Sequence, residues 1–388
     1  NMGVDAFRDS LYAMLKRNLQ NNIVGLEASR LFARSEINMG VDAFRDSLYA
    51  MLKRNTFLNI KFENMLDTLG EMSRTDLYSY LKEWEQLTPL PFYSIGEPEL
   101  TKVVNKGGEE FFVLKVLVSN NSDYDGIIQM NVLQNGWWYQ PMEDPRARKK
   151  VEIAAHTSKE FVSVWEEQIR DVEINTMVSG NLPYMIRQSI GNVKQERNKI
   201  VKDTIYTLPE SSLEMPGEVI VDNEDSTLFV LSTPAVVGLL PKWLDKVEDT
   251  SFKYSGISWW RAPLQWTATT NAKYYGKYIR SAYVIKSGDG SQTATWKIPV
   301  PEAGQYELYY HVFKDDELRW NDRLQGEYHF RVAYDSEMED AYINLRKANE
   351  GWEQLGTYYF SADTVRVVLT DECKLRSVTA DAVKIVKR

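Results

Sequence analysis

The apolar positions of the chain change period near residue 95. Before it they recur at helical spacing; after it they alternate with polar residues in short runs closed by turn formers. Within residues 38–55, Val41, Phe44, Leu48, Met51 and Leu52 fall on one face of a 3.6-residue period. Asp42 and Asp46 lie toward the start and Lys53 and Arg54 at the end, where each sign of charge favours the helix dipole. The spacing predicts a helix there. A second helix is predicted over Lys61–Leu69, stopping at Gly70. A third starts at Ser73, where Ser73 and Asp76 stand at capping-box spacing, and ends before Pro89. Residues 1–91 thus read as a small helical region whose charged residues form a solvated face.

Beyond Leu100 the alternation is that of half-buried strands. The run "EEFFVLKVLVSNNSDYDGIIQMNVLQNG" predicts strands at Phe111–Val118 and Gly126–Leu133, joined as a hairpin by the turn-forming "SNNSDYD". Further runs ("KEFVSVWEE", "DVEINTMV", "GNLPYMIRQSI") make residues 92–197 read as a β-sandwich of fibronectin or immunoglobulin type. Residues 198–253 read as a linker with a strand at Glu218–Asp222 and a short helix after Pro234. From Tyr254 the strand-like runs return, and residues 254–388 read as a second sandwich. The expected fold class is multidomain, α then β: a small N-terminal helical region followed by two antiparallel β-sandwich domains.

One stretch departs from ordinary repeat behaviour. Asn1–Asn18 recurs unchanged at Asn38–Asn55. Structural repeats diverge at solvent-facing positions, because only the packed face is constrained. Identity on every face points to a very recent duplication or to an artefact of sequence assembly, and the second is the reading adopted. The chain also begins within a helical pattern. It is therefore read as a fragment without its native N-terminus or any targeting signal.

Composition narrows the function. A chain of 388 residues is long enough for two or three domains. Its net charge of −9 argues against a nucleic-acid partner, whose binding draws on a basic surface. The single Cys373 cannot pair within the chain. The longest apolar run, Val230–Leu240, is interrupted and too short to span a bilayer. A zinc peptidase needs two His one turn apart, a third ligand and a Glu. Only His156, His311 and His329 are present, none in an H-E-x-x-H run, and all three read as structural or surface residues. No catalytic residue, metal or cofactor is expected. The acidic "NEDS" at Asn223–Ser226 lacks the spaced carboxylates of a calcium loop. The basic Arg146, Arg148, Lys149 and Lys150 read as a solvated turn.

The aromatic residues carry the remaining signal. Sugar recognition stacks an aromatic face on a ring's C–H face beside polar groups that pair with hydroxyls. Trp296, Tyr306, Trp352 and Phe360 stand at repeated strand positions and read as core, and Gly304 and Gly356 as turn or close-packing residues. Trp259, Trp260, Trp266 and Trp320 lie in less regular text. With Tyr274 and Tyr275 they are the candidates for an exposed platform. Asp381 reads as a local hydrogen-bonding residue.

Two resemblances add to this. The order "AFRDSLYAMLKRNTFLNIKFENMLDTLGEMSRTDLYSYLKEWEQLTPLP" resembles the helices after the catalytic domain of M1-family (gluzincin) aminopeptidases. Asp76, Leu77, Tyr80 and Trp84 occupy that family's motif. "INTMVSGNLP" and "VSNNSDYDGII" resemble the β-domain that follows. The last module is similar to the golvesin C-terminal / xanthan-lyase carbohydrate-binding-like domain. The carrying residues are "WW…W" (Trp259, Trp260, Trp266), "YYGKY" (Tyr274–Tyr278) and "ATWKIPVPEAGQYELYYHVF" (Ala294–Phe313). They continue in "GWEQLGTYYF" (Gly351–Phe360) and "VTADAVKIV" (Val378–Val386). The loop "KDDELRWNDRLQG", with Asp315, Asp316, Trp320 and Asp322, departs from the pattern.

These resemblances imply a non-catalytic accessory or binding region of a larger exported bacterial protein. Its expected partners are a polysaccharide or glycan and the upstream domains of the parent. Its expected place is extracellular, at the cell surface or periplasmic. The alternative is the C-terminal accessory half of an active zinc aminopeptidase whose H-E-x-x-H domain lies upstream. A lyase or glycosidase would need a positioned base or two facing carboxylates, and no such cluster stands out.

Overall fold

The computed structural model describes residues 32–54, 62–74, 90–134, 144–190, 193–197, 201–209, 217–232, 262–314, 326–335 and 337–388, with a few single positions between. It is mostly β, and the chain divides into two compact units, Leu11–Leu213 and Glu214–Arg388.

In the first unit, residues 32–39 are helical, followed by α1 (Val41–Arg54) and α2 (Phe62–Ser73). Phe44, Met51, Leu66, Leu69 and Leu77 form the apolar seam. Val41, placed on that face by periodicity, is 60% exposed instead. Helix α2 also runs through Gly70. An internal glycine costs only about 1 kcal/mol, and the buried Ser73 hydroxyl bonds back to the Leu69 carbonyl at 2.7 Å. The stop comes at Arg74, whose φ of 51° is the left-handed turn that ends helices. The cap that follows is Asp76, not Ser73: its carboxylate accepts the Ser79 N–H at 2.9 Å and the Ser79 hydroxyl at 2.7 Å.

Ten strands follow: β1 (Tyr93–Ile95), β2 (Glu99–Val104), β3 (Glu110–Asn120), β4 (Gly126–Gln134), β5 (Arg148–Ile153), β6 (Thr157–Trp165), β7 (Ile169–Asn175), β8 (Met185–Ser189), β9 (Val193–Arg197) and β10 (Thr204–Pro209). One sheet has the order β10-β6-β3-β2-β9, with β1 on β3; the other is β5-β4-β7-β8. The expected hairpin between Phe111–Val118 and Gly126–Leu133 is not formed, because β3 and β4 belong to different sheets. The connection between them crosses from sheet to sheet and is held by the buried Asn120. Its amide donates to the carbonyls of Tyr124 (2.8 Å) and Ile153 (3.0 Å), and its oxygen accepts from the Ser122 hydroxyl at 2.6 Å. The basic stretch is likewise not a free turn. Arg146 is paired with Asp144 at 2.7 Å, and Arg148, Lys149 and Lys150 lie in β5.

The second unit contains β11 (Glu218–Val221), β12 (Phe229–Leu231), β13 (Thr267–Thr270), β14 (Ser281–Lys286), β15 (Thr293–Pro299), β16 (Gly304–Val312), β17 (Glu327–Tyr334), β18 (Glu337–Asn344), β19 (Gly351–Phe360), β20 (Thr364–Thr370), β21 (Ser377–Ala380) and β22 (Val383–Lys387). Their sheets are β11-β22-β16-β19, β12-β15-β20-β17-β18 and β13-β14-β21. Alternation along β16 sends Tyr306, Leu308, Tyr310 and Val312 into the core and leaves Glu307, Tyr309 and His311 on the other face. Trp296 and Phe360 are fully buried with them, as their positions suggested, whereas Trp352 is only half-buried.

The expectation of two antiparallel β-sandwich domains is corrected by this arrangement. The described strands form five small sheets; the second unit holds three of them, and the first contains a parallel pair, β2 with β9. Period-2 patterning tells which side of a strand faces inward. It does not tell which strands pair, and that information lies in long-range register.

Candidate functional site

The outward face of the β11-β22-β16-β19 sheet meets the loop of residues 271–280 over Asp381. This carboxylate is fully buried between β21 and β22. It faces His311 Nδ1 at 2.8 Å and accepts the backbone N–H of Tyr275 at 3.2 Å. Burial pushes the Asp381 carboxyl up from its ordinary range, and the His311 imidazole beside it pulls the other way. The Asp381 carbonyl accepts the indole N–H of the core residue Trp296 at 3.2 Å. One residue thus ties core, strand and loop together.

The loop turns at Gly276. Its φ is +150°, and a Cβ there would lie 1.9 Å from the Ile279 carbonyl oxygen, so only glycine fits. This turn sets Tyr275 against β16 and β19. Lys273, paired with Glu350 at 3.0 Å, ties the loop to the segment before β19.

Around His311 the rings close in. Tyr275 and Trp352 lie 5.1 Å apart between centroids, and His311 stands edge-on to Trp352 at 5.1 Å. Lys384 places its ammonium 4.9 Å from the Trp352 ring centre and 5.4 Å from that of Tyr309. The same ammonium pairs with Glu218 at 2.7 Å. The result is a compact patch of aromatic surface, imidazole, ammonium and carboxylate. It can stack on an apolar ring face and exchange hydrogen bonds with hydroxyls.

Beside it, Asn223 donates to the Ser281 hydroxyl at 2.7 Å, and burial pushes the Asp222 carboxyl well up, aided by the charges of Asp381 and Glu224. Among the described residues no group of three or more His, Cys, Asp or Glu could hold a metal ion.

Of the residues singled out from the sequence, Trp259, Trp260 and Trp320 lie outside the described residues. Trp266 is half-buried and packs against the core, and its indole N–H is buried with no hydrogen-bond partner among the described residues. Tyr274 is buried, its ring edge-on to Phe313 at 4.7 Å. Tyr275 joins the cluster. The structure therefore brings Tyr275 together with Trp352, His311 and Asp381, which the sequence reading gave to core, structural or surface, and local hydrogen-bonding roles, and with Lys384, which it did not single out. Two signals pointed their way: an acid inside the apolar "ADAV", and a histidine at an outward position of "YYHVF".

Residues 259–387 match the Golvesin C-terminal domain family. No curated protein matches the chain. Among solved structures the chain is similar to a Bacteroides uniformis β-glucuronidase 2 bound covalently to cyclophellitol-6-carboxylate aziridine, at 11% identity and a TM-score of 0.22. That alignment covers 82% of this chain and 32% of the glucuronidase, so the chain spans about a third of that protein's length. It is also similar to a chain of the Sulfolobus Turreted Icosahedral Virus at 10% identity and a TM-score of 0.16, covering 77% of this chain and 93% of that one. Neither likeness is close enough to carry an argument. Nothing in these comparisons supports an M1-peptidase reading of residues 1–91 or a link to xanthan lyase. No helix among the described residues is long and apolar enough to cross a membrane.

Proposed function

We propose that the second unit is a carbohydrate-binding accessory module of a larger exported protein, acting outside the cell or at its surface. Sugar is bound at the patch formed by Tyr275, Trp352 and His311. The carrying observation is that the match to the Golvesin C-terminal domain falls on a unit whose Tyr275–Trp352 pair is fixed around a histidine by a buried carboxylate. A preformed aromatic site with few polar groups, each held by a partner, suits a rigid hydroxyl-rich ligand. Among the described residues the patch holds no activated nucleophile and no pair of facing carboxylates across a cleft, and the reading is of binding.

Titration of the full chain with soluble polysaccharides, followed by affinity electrophoresis, tests this. Trp352→Ala and Tyr275→Ala should each weaken binding about 5-fold or more while near-ultraviolet circular dichroism stays native. Saturable binding left unchanged in both folded variants would remove the patch from the function. No binding to any glycan would remove the function itself.

A further inference from the structure

The outer face of the β12-β15-β20-β17-β18 sheet carries a second aromatic platform that the cluster around His311 does not use. Strands β17 and β18 pair with His329 directly opposite Tyr342, Arg331 opposite Asp340 and Ala333 opposite Met338. Successive outward side chains on β18 are Met338, Asp340 and Tyr342, and β18 is the last strand of its sheet.

Tyr342 is 55% exposed, yet it is not a loose surface ring. It lies flat on the His329 imidazole, with centroids 4.9 Å apart and planes 9° from parallel. His329 is itself clamped. Its Nε2 faces Asp340 Oδ1 at 2.7 Å and its Nδ1 faces Glu372 Oε2 at 3.4 Å. One face of Tyr342 is thus backed by a ring that two carboxylates hold in place, while more than half of the residue stays open to solvent.

We infer that this platform is a second carbohydrate-binding site, specific for neutral, hydroxyl-rich pyranose chains. The inference rests on the carbohydrate-binding reading of the unit. A backed tyrosine face suits stacking on the apolar face of a sugar ring, at little cost in side-chain ordering. Polar recognition is adjacent. Asp340 keeps a second carboxylate oxygen for a hydroxyl donor, and Arg331 across the ladder supplies donors for a hydroxyl acceptor. The charged groups close at hand, Asp340 and Glu372 with Arg331, are of both signs and form no basic patch for an anionic ligand. Two sites on one unit would engage a long chain bivalently, raising its apparent affinity above that for short oligosaccharides.

The test uses the full chain with a soluble β-1,3-glucan, a β-1,4-mannan and an arabinogalactan, each as polymer and as short oligosaccharide. Tyr342→Ala, at an exposed position where folding is expected to survive, should lower polymer affinity about 5-fold or more. In a Trp352→Ala background it should abolish the binding that remains. Tyr342→Phe, which keeps the ring, should bind as the parent does. If Tyr342→Ala matches its parent in both backgrounds, or if Trp352→Ala alone removes all saturable binding, the second site is overturned while the first stands. Failure of the unaltered chain to bind any of the glycans overturns both.

Discussion

His311 Nδ1 lies 2.8 Å from Asp381 Oδ2, and that carboxylate is wholly shielded from water. The relationship is structural before it is functional, since Asp381 also accepts the Tyr275 N–H. Asp381→Ala would take this partner from the part-buried Tyr275 N–H and His311 Nδ1, at a cost of about 3 kcal/mol. Thermal unfolding of the second unit should fall by roughly 6–12 °C. A calorimetric shift under 2 °C would show that the pair holds nothing together.

Asp222 gives a pH prediction of opposite sign to the usual carboxylate. Burial and the charges of Asp381 and Glu224 raise its folded value above the 3.8 of the free group. The folded unit therefore binds the proton more tightly than the unfolded chain. That contribution to stability is complete below pH 3.8 and is lost as pH rises through the folded value. Asp222→Asn keeps an oxygen to accept the Asn223 N–H now held at 2.7 Å. It should stabilise the unit by about 1 kcal/mol or more at pH 7.5 and change little near pH 3.5. Urea midpoints at the two pH values check it, and an equal effect at both would refute the linkage.

Gly276→Ala should act locally. The added Cβ would meet the Ile279 carbonyl at 1.9 Å, so the loop must open and carry Tyr275 away from Trp352. Polysaccharide affinity should drop about as far as in Tyr275→Ala. The comparison at matched secondary structure by circular dichroism separates loop displacement from unfolding. A variant that binds as the parent does would show that the turn does not position the ring.

In the first unit the crossover from β3 to β4 depends on Asn120. Asn120→Ala strips partners from the Tyr124 and Ile153 carbonyls and from Ser122. It should cost about 2–3 kcal/mol, read as an earlier denaturant midpoint for that unit. Asn120→Asp, which restores only the acceptor toward Ser122, should recover a minor part of the loss.

Local elements were more legible in the sequence than their assembly. The alternation of β16 and the seam of α1 and α2 show directly in the spacing of apolar residues, because burial acts on each side chain one at a time. Pairing partners are set over long separations, so "SNNSDYD" read as a hairpin turn when Asn120 in fact anchors a passage between sheets. The site was hidden for a related reason. Trp352 and Trp296 occupy similar-looking strand positions, and only the register of β19 against β16 puts Trp352 beside His311 on the outer face. Asp381 becomes intelligible only when the loop of residues 271–280 is seen to fold over it.

The position of β22 has a consequence for how the protein is made. It sits between β11 and β16, so the first and the middle strands of this sheet are bridged by residues 383–387. During synthesis the sheet cannot close until those residues have left the ribosome, and until then both neighbours present bare backbone edges to other chains. The sheet therefore closes only once residues 383–387 have emerged, and a nascent chain stalled short of Val383 would be a substrate for chaperones and not a partly folded unit.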